Sequence, residues 1–308
     1  MWQPVLVSIP PGLAGARVAV GPVAIGLAVV AYSVAETRAF VLRTADVPIL
    51  PAGRRPLRLL HLSDLHLTPA QGIKQRWIRA LQALEPDLVI VTGDFLGHRS
   101  AVAPLLACLG GLLDRPGAYV LGSNDYFAPI VKNPLRYLVP ARQAKTRLGR
   151  RLPWGDLTAA LAERGWVDLN NRRARVRVCG RDVALAGVDD PHLGYDDLAA
   201  VSYPAEAADL AIAVTHAPYL RVLDGFTTAG YPLVLAGHTH GGQLRVPGFG
   251  ALVTNCDLER RRARGLGQHT VGDRAAWLHV SAGLGTSPYA PLRFCCRPEA
   301  TLLTLRPA

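Results

Sequence analysis

The sequence predicts an α/β fold, and two features of the chain carry this prediction. Short apolar runs of strand length alternate with segments of helical periodicity, which is the pattern of parallel strands joined by helices. Asp64, Asp94 and Asn124 each follow such a run and lie 30 residues apart, the length of a strand–helix repeat. Functional groups of open α/β sheets lie at the carboxyl ends of the strands, so these three residues are candidates for a site.

The first half of the chain supplies three predicted strands and two helices. The strands cover residues 57–62, 87–92 and 118–121. Apolar residues from Trp77 to Leu84 have the spacing of one helical face, and Pro86 closes that helix. Residues 102–113 predict a second helix, which gives this half the strand–helix–strand order of a parallel sheet.

The second half predicts one more helix and a second group of strands. The helix covers residues 157–165, and the strands cover 174–178, 183–188, 210–214, 233–235, 277–280 and 301–305. Between the halves, residues 126–155 hold seven Lys and Arg residues and no acidic one. This basic insertion is a solvated loop, a lid that binds anionic headgroups or substrate, or a membrane-facing patch.

Composition places the chain among globular proteins with an anionic partner. Of its 308 residues, 50% are hydrophobic and 19% are charged, which excludes a disordered chain. The net charge of +11 favours phosphate esters, acidic lipid surfaces or nucleic acid as partners. Aromatic residues make up 6% and no nucleic-acid motif is present, so we expect no specific nucleic-acid partner. The five cysteines lack the Cys-x-x-Cys spacing of a zinc knuckle and show no obvious disulfide framework.

Metal-type ligands occur in pairs, two residues apart, at two predicted strand ends. Asp64 and His66 form one pair, and His238 and His240 form the other. Residues i and i+2 of a strand point to the same side, so each pair can hold one ion from one face. Together with the polar residues that follow the other strands, these pairs predict a two-metal hydrolase site.

Asp94 is the predicted bridge between the two ions. A shared carboxylate is an economical way to hold two divalent cations about 4 Å apart, and Asp94 follows a buried strand and a glycine. The predicted ligands are Asp64, His66, Asp94 and His240 for one metal, and Asp94, Asn124, His216 and His238 for the other. Mixed nitrogen and oxygen donors suit Mn, Fe or Zn better than Ca or Mg alone. The expected reaction is in-line attack on phosphorus by a metal-bound hydroxide.

Five short blocks of the chain together resemble the calcineurin-like metallophosphoesterases. They are Asp64-x-His66, Gly93-Asp94, Gly122-Ser123-Asn124-Asp125, Thr215-His216 and Gly237-His238-Thr239-His240, and their order and spacing match across residues 57–305. The sequence GHTHGGQ at 237–243 further resembles a bacterial membrane-associated subgroup that includes lipid-A-precursor pyrophosphatase-like members. The resemblance implies a four-layer α/β/β/α sandwich of two mixed β-sheets, a dinuclear metal centre and phosphoester hydrolysis.

The third block departs from the family pattern, which is Gly-Asn-His followed by Asp or Glu. Aligned without a gap, Ser123 falls on the metal ligand and Asn124 on the catalytic His; shifted by one, Asn124 is the ligand and Asp125 falls on the His. We favour Asn124 as the ligand, because an amide reaches further than a serine hydroxyl. Asn124 and Asp125 are then the candidates for the catalytic position. In either alignment the imidazole acid is absent, and because general acid catalysis contributes about 10²–10⁴-fold, we expect slow turnover or good leaving groups.

Three functions are compatible with this ligand set. The first is a phosphodiesterase or pyrophosphatase that acts on a lipid-linked or nucleotide-type substrate. The second is a phosphomonoesterase of the protein phosphatase type, which the run Gly93–Arg99 disfavours because it lacks the Val-Asp-Arg-Gly continuation of those enzymes. The third is a metal-binding scaffold with little turnover. Asp189, Asp190 and His192 are interpreted as loop structure near the site, and Arg293 could reach a phosphate.

The N-terminal region differs from the rest of the chain. Residues 18–35 carry no charge, and their length is at the short end for a membrane span. We predict a single membrane anchor, with a helix packed on the domain or on the membrane surface as the alternative. The Arg residues that follow it would place the catalytic domain on the cytoplasmic side of the cell membrane, so membrane association is expected. The predicted division is 1–45 for this segment, 46–56 for a linker and 57–308 for the catalytic domain.

Overall fold

The computed structural model describes residues 14–130, 148–201, 203 and 207–308. Its helices are α1 (Ala14–Glu36), α2 (Gly72–Ala80), α3 (Val102–Leu109), α4 (Ser123–Tyr126), α5 (Trp154–Glu163) and α6 (Leu220–Thr228). Its strands are β1 (Val41–Leu50), β2 (Leu57–Leu62), β3 (Leu88–Thr92), β4 (Gly117–Val120), β5 (Val167–Asp168), β6 (Arg172–Val178), β7 (Arg181–Gly187), β8 (Leu210–Val214), β9 (Leu233–Ala236), β10 (Arg245–Val246), β11 (Gly250–Ala251), β12 (Gly265–Val271), β13 (Arg274–Val280) and β14 (Glu299–Pro307).

Two six-stranded sheets of mixed direction form the centre of the structure. The first has the order β1-β14-β2-β3-β4-β5, and the second has the order β12-β13-β9-β8-β7-β6. Strands β2 to β5 are parallel, whereas β14 runs antiparallel to β2. In the second sheet β13, β9, β8 and β7 are parallel, and both edge strands are antiparallel to their neighbours. The α/β fold with two mixed sheets is therefore confirmed.

Alternation along the strands divides the apolar side chains into layers. Leu59 and Leu60 are neighbours in β2 and both are fully buried, yet Leu59 packs between the two sheets and Leu60 packs against helices. Ile90 of β3 and Leu235 of β9 join Leu59 in the layer between the sheets. Helices α2, α3 and α5 cover the first sheet, and α6, through Phe226, covers the second. The order helix, sheet, sheet, helix is the four-layer sandwich that the family resemblance implies.

Most predicted elements are present, and the differences have local causes. Residues 102–113 give the shorter helix α3, because Gly110 has a φ of 50° and the chain continues as a 3-10 turn. Strands β1 and β12 give no apolar run in the sequence, since they are edge strands with partly exposed side chains. Residues 46–50 of the predicted linker belong to β1, which pairs in parallel with β14.

The N-terminal helix corrects the predicted membrane localisation. In the part of the chain that the structure describes, no helix is both long and apolar enough to cross a membrane. The predicted membrane anchor, and with it the cell-membrane location and the cytoplasmic side for the catalytic domain, is therefore wrong. The carbonyl of Ser33 in α1 accepts a hydrogen bond from the backbone of Arg293 at 2.9 Å, and the Glu36 carboxylate accepts one from Cys296 at 3.1 Å. The end of α1 is thus attached to the sandwich.

Most of the predicted basic insertion lies outside the described residues. Lys132, Arg136, Arg142, Lys145 and Arg147 all fall within 131–147, so the alternatives of loop, lid and membrane-facing patch stay predictions. The described flanks of the insertion meet in a short antiparallel bridge between Phe127 and Arg151.

Candidate metal centre

Five strands end at one edge of the sandwich, and the predicted ligands follow them. Strand β2 leads to Asp64 and His66, β3 to Asp94, β4 to Asn124, β8 to His216, and β9 to His238 and His240. Each of these seven side chains lies 2.8 to 3.7 Å from at least one other member of the set. The structure therefore brings all seven predicted ligands together.

The backbone at most of these residues has an uncommon conformation. Asp64, His66, Asp94, His238 and His240 have φ between 41° and 67°, which is the left-handed region. This region costs a residue with a Cβ about 1 kcal/mol or more, and Asp, Asn and His are enriched there among the non-glycine residues. The residue types that can bind metal are thus also the types that this backbone accepts best.

Two glycines allow the strand ends to approach each other. A Cβ on Gly93, which has a φ of 85°, would lie 2.7 Å from the backbone nitrogen of Gly122 and 2.9 Å from Nδ1 of His216. A Cβ on Gly237 would lie 1.8 Å from Oγ of Ser63 in the other sheet. A larger residue at either position would push the two edges apart, so these glycines set the spacing of the site.

The first half-site consists of Asp64, His66, Asp94 and His240. One ligand atom from each residue lies within 4.8 Å of those from the other three. Nε2 of His66 is 3.3 Å from Oδ2 of Asp94 and 3.3 Å from Nε2 of His240, which is 3.7 Å from Oδ1 of Asp64. Two carboxylates and two imidazoles at these distances could hold one divalent cation.

The second half-site shares Asp94 and adds Asn124, His216 and His238. Oδ2 of Asp94 is 2.8 Å from the side-chain nitrogen of Asn124 and 3.6 Å from Nε2 of His216. Nδ1 of His238 is 3.3 Å from the same Nε2. Asp94 thus contacts members of both half-sites, as a bridging ligand would. A half-turn of the Asn124 amide would exchange its nitrogen for its oxygen, so the group is placed to serve as a ligand.

Backbone carbonyls fix the proton position on three imidazoles. Nδ1 of His216 is 2.7 Å from the carbonyl of Thr92, Nδ1 of His240 is 3.0 Å from that of Gly285, and Nε2 of His238 is 3.3 Å from that of Asn255. A carbonyl only accepts, so in each neutral ring the other nitrogen presents a lone pair to the cluster. Lone pairs that face carboxylate oxygens repel them unless a cation lies between, so this donor set fits divalent metal ions.

The carboxylates also attract positive charge to the cluster. Burial alone lowers the pKa of His216, but the carboxylates of Asp94, Asp190 and Asp64 outweigh it and raise that pKa to about 9. Burial alone raises the pKa of Asp94, yet His216 and His66 hold it well below its usual range. In His66 burial prevails and lowers the pKa to about 4. An ionised bridging carboxylate and a neutral His66 are the forms that bind metal.

Asp125 has contacts that hold a loop. Its carboxylate is fully buried and accepts hydrogen bonds from the backbone nitrogens of Asp94, Leu96 and Gly122 at 2.8 to 3.0 Å. These bonds tie the turn after β4 to the turn after β3. Asn124, by contrast, faces the cleft above the half-sites. Of the two candidates for the catalytic position, the structure therefore exposes Asn124 and encloses Asp125.

A cleft of about 470 Å³ opens over the two half-sites. Its floor includes His66, Asp94, Asn124, His238 and His240. Its walls are mostly apolar and include Phe127, Ala128, Pro129, Ile130, Leu148, Leu193, Tyr289, Ala290, Pro291 and Leu292. Among the described residues that line the cleft there is no Lys or Arg. The floor can thus bind a phosphate through metal ions, while the walls suit an apolar group.

His192, interpreted from the sequence as loop structure, also lines the cleft. Its ring centroid is 4.6 Å from that of His238, and its Nδ1 is 3.1 Å from the Tyr219 hydroxyl. Asp190 accepts a hydrogen bond from its backbone nitrogen at 2.8 Å. The sequence could have indicated His192 as a site residue through its position shortly after β7, because the other site residues also follow strands.

Arg293, considered from the sequence as a phosphate contact, is enclosed in the fold. Its guanidinium is fully buried and donates to the carbonyls of Ala282, Gly283, Gly285 and Cys296 at 2.7 to 3.1 Å. The turn that it holds packs directly against the first half-site. Arg293 therefore stabilises the turn that supports the metal ligands of the first half-site.

A protein family, several known proteins and solved structures are similar to this chain. The family described as calcineurin-like phosphoesterase matches residues 57–242. The Bacillus subtilis protein named uncharacterized metallophosphoesterase YkoQ is 29% identical over 257 residues, which cover 82% of this chain and 84% of the relative. The phosphodiesterase YaeI of Escherichia coli is 26% identical over 263 residues, covering 81% and 82%. The crystal structure of TT1561 from Thermus thermophilus aligns with a TM-score of 0.39 and 16% identity, covering 75% and 91%.

Proposed function

Because this chain belongs to the calcineurin-like phosphoesterase family and is a metal-dependent phosphoester hydrolase, we propose that it cleaves phosphodiesters or pyrophosphates that carry an apolar group. One observation carries the proposal: metal-type ligands form the floor of a cleft whose walls are apolar. An alkyl or aromatic group beside the scissile phosphate would bury its surface against those walls. A lipid-linked substrate meets this description, and the resemblance of residues 237–243 to a bacterial subgroup supports it.

The charge of the cleft favours a diester over a monoester. A phosphate monoester is close to a dianion at neutral pH, whereas a diester carries one negative charge. Enzymes that bind the more highly charged group commonly add Arg or Lys to the metal ions. The described lining of this cleft has neither residue. We therefore rank the diester above the phosphomonoester.

Each ligand has a defined part in this proposal. Asp94 would be shared by the two cations, with the other members of each half-site completing one ion. When bound, the two cations would neutralise phosphate oxygens and lower the pKa of a water for in-line attack; Mn, Fe or Zn suits these ligands. His216, His238 and His240 each keep a proton on the nitrogen that faces a backbone carbonyl, and so direct a lone pair inward.

The catalytic position sets a limit on the substrates. Position 125 holds an enclosed carboxylate where the shifted alignment expects the family's imidazole. A leaving group that needs a proton would then depart slowly, whereas an aryl oxygen or a phosphate departs without one. We expect the rate to fall steeply as the pKa of the leaving group rises.

The experiment uses substrates that differ in one group at a time. The chain of residues 1–308 is stripped of metal and supplied with Mn²⁺, because β1 and the end of α1 belong to the fold. The substrates are p-nitrophenyl phosphate, bis-p-nitrophenyl phosphate, and mixed p-nitrophenyl diesters with a methyl, hexyl or thymidine group. We expect Mn²⁺-dependent cleavage of the diesters, with hexyl preferred over methyl by at least about 10-fold in kcat/KM, since each buried methylene contributes about 0.8 kcal/mol.

Matched variants separate the metal site from the wall. His238→Ala should abolish cleavage of every substrate. Leu193→Asn, in the wall, should reduce the preference for hexyl, whereas Ile73→Asn, at an exposed position on α2, should leave it unchanged. A preference for p-nitrophenyl phosphate would instead indicate a phosphomonoesterase. Bound Mn²⁺ without cleavage of any substrate would indicate a metal-binding scaffold.

A further inference from the structure

A row of buried polar side chains runs from the space between the sheets to Asp64. Nδ1 of His279 is 2.7 Å from Nδ1 of His61, and Nε2 of His61 is 3.0 Å from the Thr92 hydroxyl. Thr92 donates to Oγ of Ser63 at 2.7 Å, and Ser63 donates to Oδ2 of Asp64 at 2.5 Å. We call the four residues His279, His61, Thr92 and Ser63 the donor chain.

The acceptor at its end fixes the direction of every bond in the donor chain. An ionised carboxylate only accepts, so Ser63 uses its single proton on Asp64 and must accept from Thr92. Thr92 has then used its proton and must accept from Nε2 of His61. In a neutral His61 the other nitrogen is a lone pair, so it accepts from the Nδ1–H of His279. All four donors thus point toward one carboxylate oxygen.

The apolar surroundings of the donor chain indicate that it does more than stabilise the fold. Its four residues are at most 2% exposed, and they come from both sheets, in a layer filled mainly by Leu, Ile and Val. Polar groups in such a layer cost free energy unless they are hydrogen-bonded, and apolar residues of similar size would fill the space without that requirement. Gly237 leaves room for Ser63, since a Cβ there would lie 1.8 Å from its hydroxyl.

The donor chain acts on Oδ2 of Asp64, whereas Oδ1 accepts a longer hydrogen bond, at 3.2 Å, from the backbone nitrogen of His238 and faces the first half-site. Oδ2 accepts from Ser63 at 2.5 Å and from the backbone nitrogen of His238 at 3.0 Å. Oδ1 is the oxygen 3.7 Å from Nε2 of His240, inside the first half-site. Thr92 also reaches the second half-site, because its carbonyl is 2.7 Å from Nδ1 of His216. Its hydroxyl and its carbonyl therefore support different half-sites.

We propose that the donor chain positions Asp64 for the first metal ion: it anchors Oδ2 so that Oδ1 stays directed into the first half-site. Thr92, Ser63 and His61 are on this view positioning residues, which act on the metal through Asp64. The inference rests on the proposed function only in taking Asp64 as a ligand. Outer partners of metal ligands typically change metal affinity by about 10–100-fold when they are removed.

The test removes one hydroxyl and measures metal binding without any substrate. Thr92→Val deletes the donor and keeps both the shape and the carbonyl that His216 uses, while Thr92→Ser restores the hydroxyl. Thr227→Val in α6 is the matched control, because this buried threonine has no hydrogen-bond partner for its hydroxyl in the described part of the chain. Metal-stripped chains of residues 1–308 are titrated with Mn²⁺, and free Mn²⁺ is measured by electron paramagnetic resonance. The melting temperature of each stripped chain is recorded alongside.

We expect Thr92→Val to lower the affinity for one of two Mn²⁺ ions by about 10-fold or more. The affinities of Thr92→Ser and Thr227→Val should stay close to that of the wild type. Unchanged affinity in Thr92→Val, or an equal loss in Thr92→Ser, would overturn the proposal even if the melting temperature falls. Should Thr92→Val not fold, Ser63→Ala removes the last donor, and unchanged affinity there has the same meaning. A wild-type chain that binds no Mn²⁺ would reject the metal site itself and the donor chain with it.

Discussion

The two half-sites share Asp94 but are supported in different ways. In the first, Asp64 is anchored by Ser63 and by the backbone of His238, and the turn beneath is held by the buried Arg293. In the second, Asn124 stands on the four-residue helix α4, within the block that departs from the family pattern. That helix is held by the Asp125 carboxylate and by the Tyr126 hydroxyl, which donates to Asp189 at 2.8 Å. The ligand Asp64 of the first half-site is thus set by several contacts, whereas the ligand Asn124 of the second stands on a short loop.

This difference coincides with the departure from the family pattern. The residues of the first half-site follow the family blocks, whereas Ser123, Asn124 and Asp125 are the stretch that does not. We therefore expect the first half-site to bind its ion more tightly, and the second to determine the substrates and the rate.

The largest effect is expected from the loss of Asp94, which both half-sites share. Asp94→Ala removes the carboxylate that contacts both, so we predict the loss of both metal ions and a fall in kcat/KM of at least about 10³-fold. Mn²⁺ stoichiometry and diester cleavage measure this. Asp114→Asn, at an exposed carboxylate, is the control. Retention of one tightly bound Mn²⁺ in Asp94→Ala would show that Asp94 does not bridge.

A ligand of the first half-site alone should produce an intermediate effect. His240→Ala removes one imidazole from the cluster of four, so we predict one Mn²⁺ per chain in place of two and a rate lower by about 10²-fold. Stoichiometry after gel filtration in low Mn²⁺ distinguishes this from a general loss of fold. Two ions bound with wild-type affinity would remove His240 from the ligand set.

The second half-site should respond less to the loss of Asn124. Asn124→Ala should lower the affinity for one Mn²⁺ ion by only about 10-fold, since an amide is a weaker ligand than a carboxylate or an imidazole. Asn124→Asp should bind that ion at least as tightly as wild type. Ser123→Ala decides between the two alignments: an equal or larger loss of affinity in this variant would assign the ligand to Ser123.

The smallest effect concerns pH and the donor chain behind the first half-site. Burial lowers the pKa of His279 to about 4, although Glu299 acts in the opposite direction. Between pH 6.5 and 4 the unfolded chain therefore binds more protons at this residue than the folded chain, and stability falls as the pH falls. His279→Leu should flatten that slope by up to about 1.4 kcal/mol per pH unit. Urea unfolding of stripped protein at several pH values measures the slope, and His98→Gln, at an exposed position, should leave it unchanged.

The sequence predicts that the seven candidate ligands lie together, because each one follows an apolar run. Such runs become buried strands, and parallel strands of one sheet end at the same edge, so residues far apart in the chain could be assigned to one site. The Ser123-Asn124-Asp125 block could not be aligned in the same way. What distinguishes its members is the bonding of Asp125 to three backbone nitrogens, and no spacing along the chain encodes that.

The donor chain and the edge strands were not predictable for related reasons. His61 lies in an apolar run and belongs to a predicted strand, but its partner His279 is 218 residues away. Only the packing of one sheet on the other brings the two rings together. Strands β1 and β12 have one neighbour each and stay partly exposed, so they need no apolar pattern to be stable. Contacts between layers and at edges are where local patterns carry least information.

The left-handed backbone at five ligand residues has a practical consequence for anyone who needs an inactive form of the enzyme. Alanine at Asp64 or Asp94 would remove the carboxylate yet keep the unfavourable conformation, without the side-chain contacts that compensate for it. Glycine at the same positions removes the ligand and accepts that conformation freely, a difference of about 1 kcal/mol in favour of the folded state. Inactive versions of this chain should therefore be made with glycine, and they should survive crystallisation and storage better than their alanine counterparts.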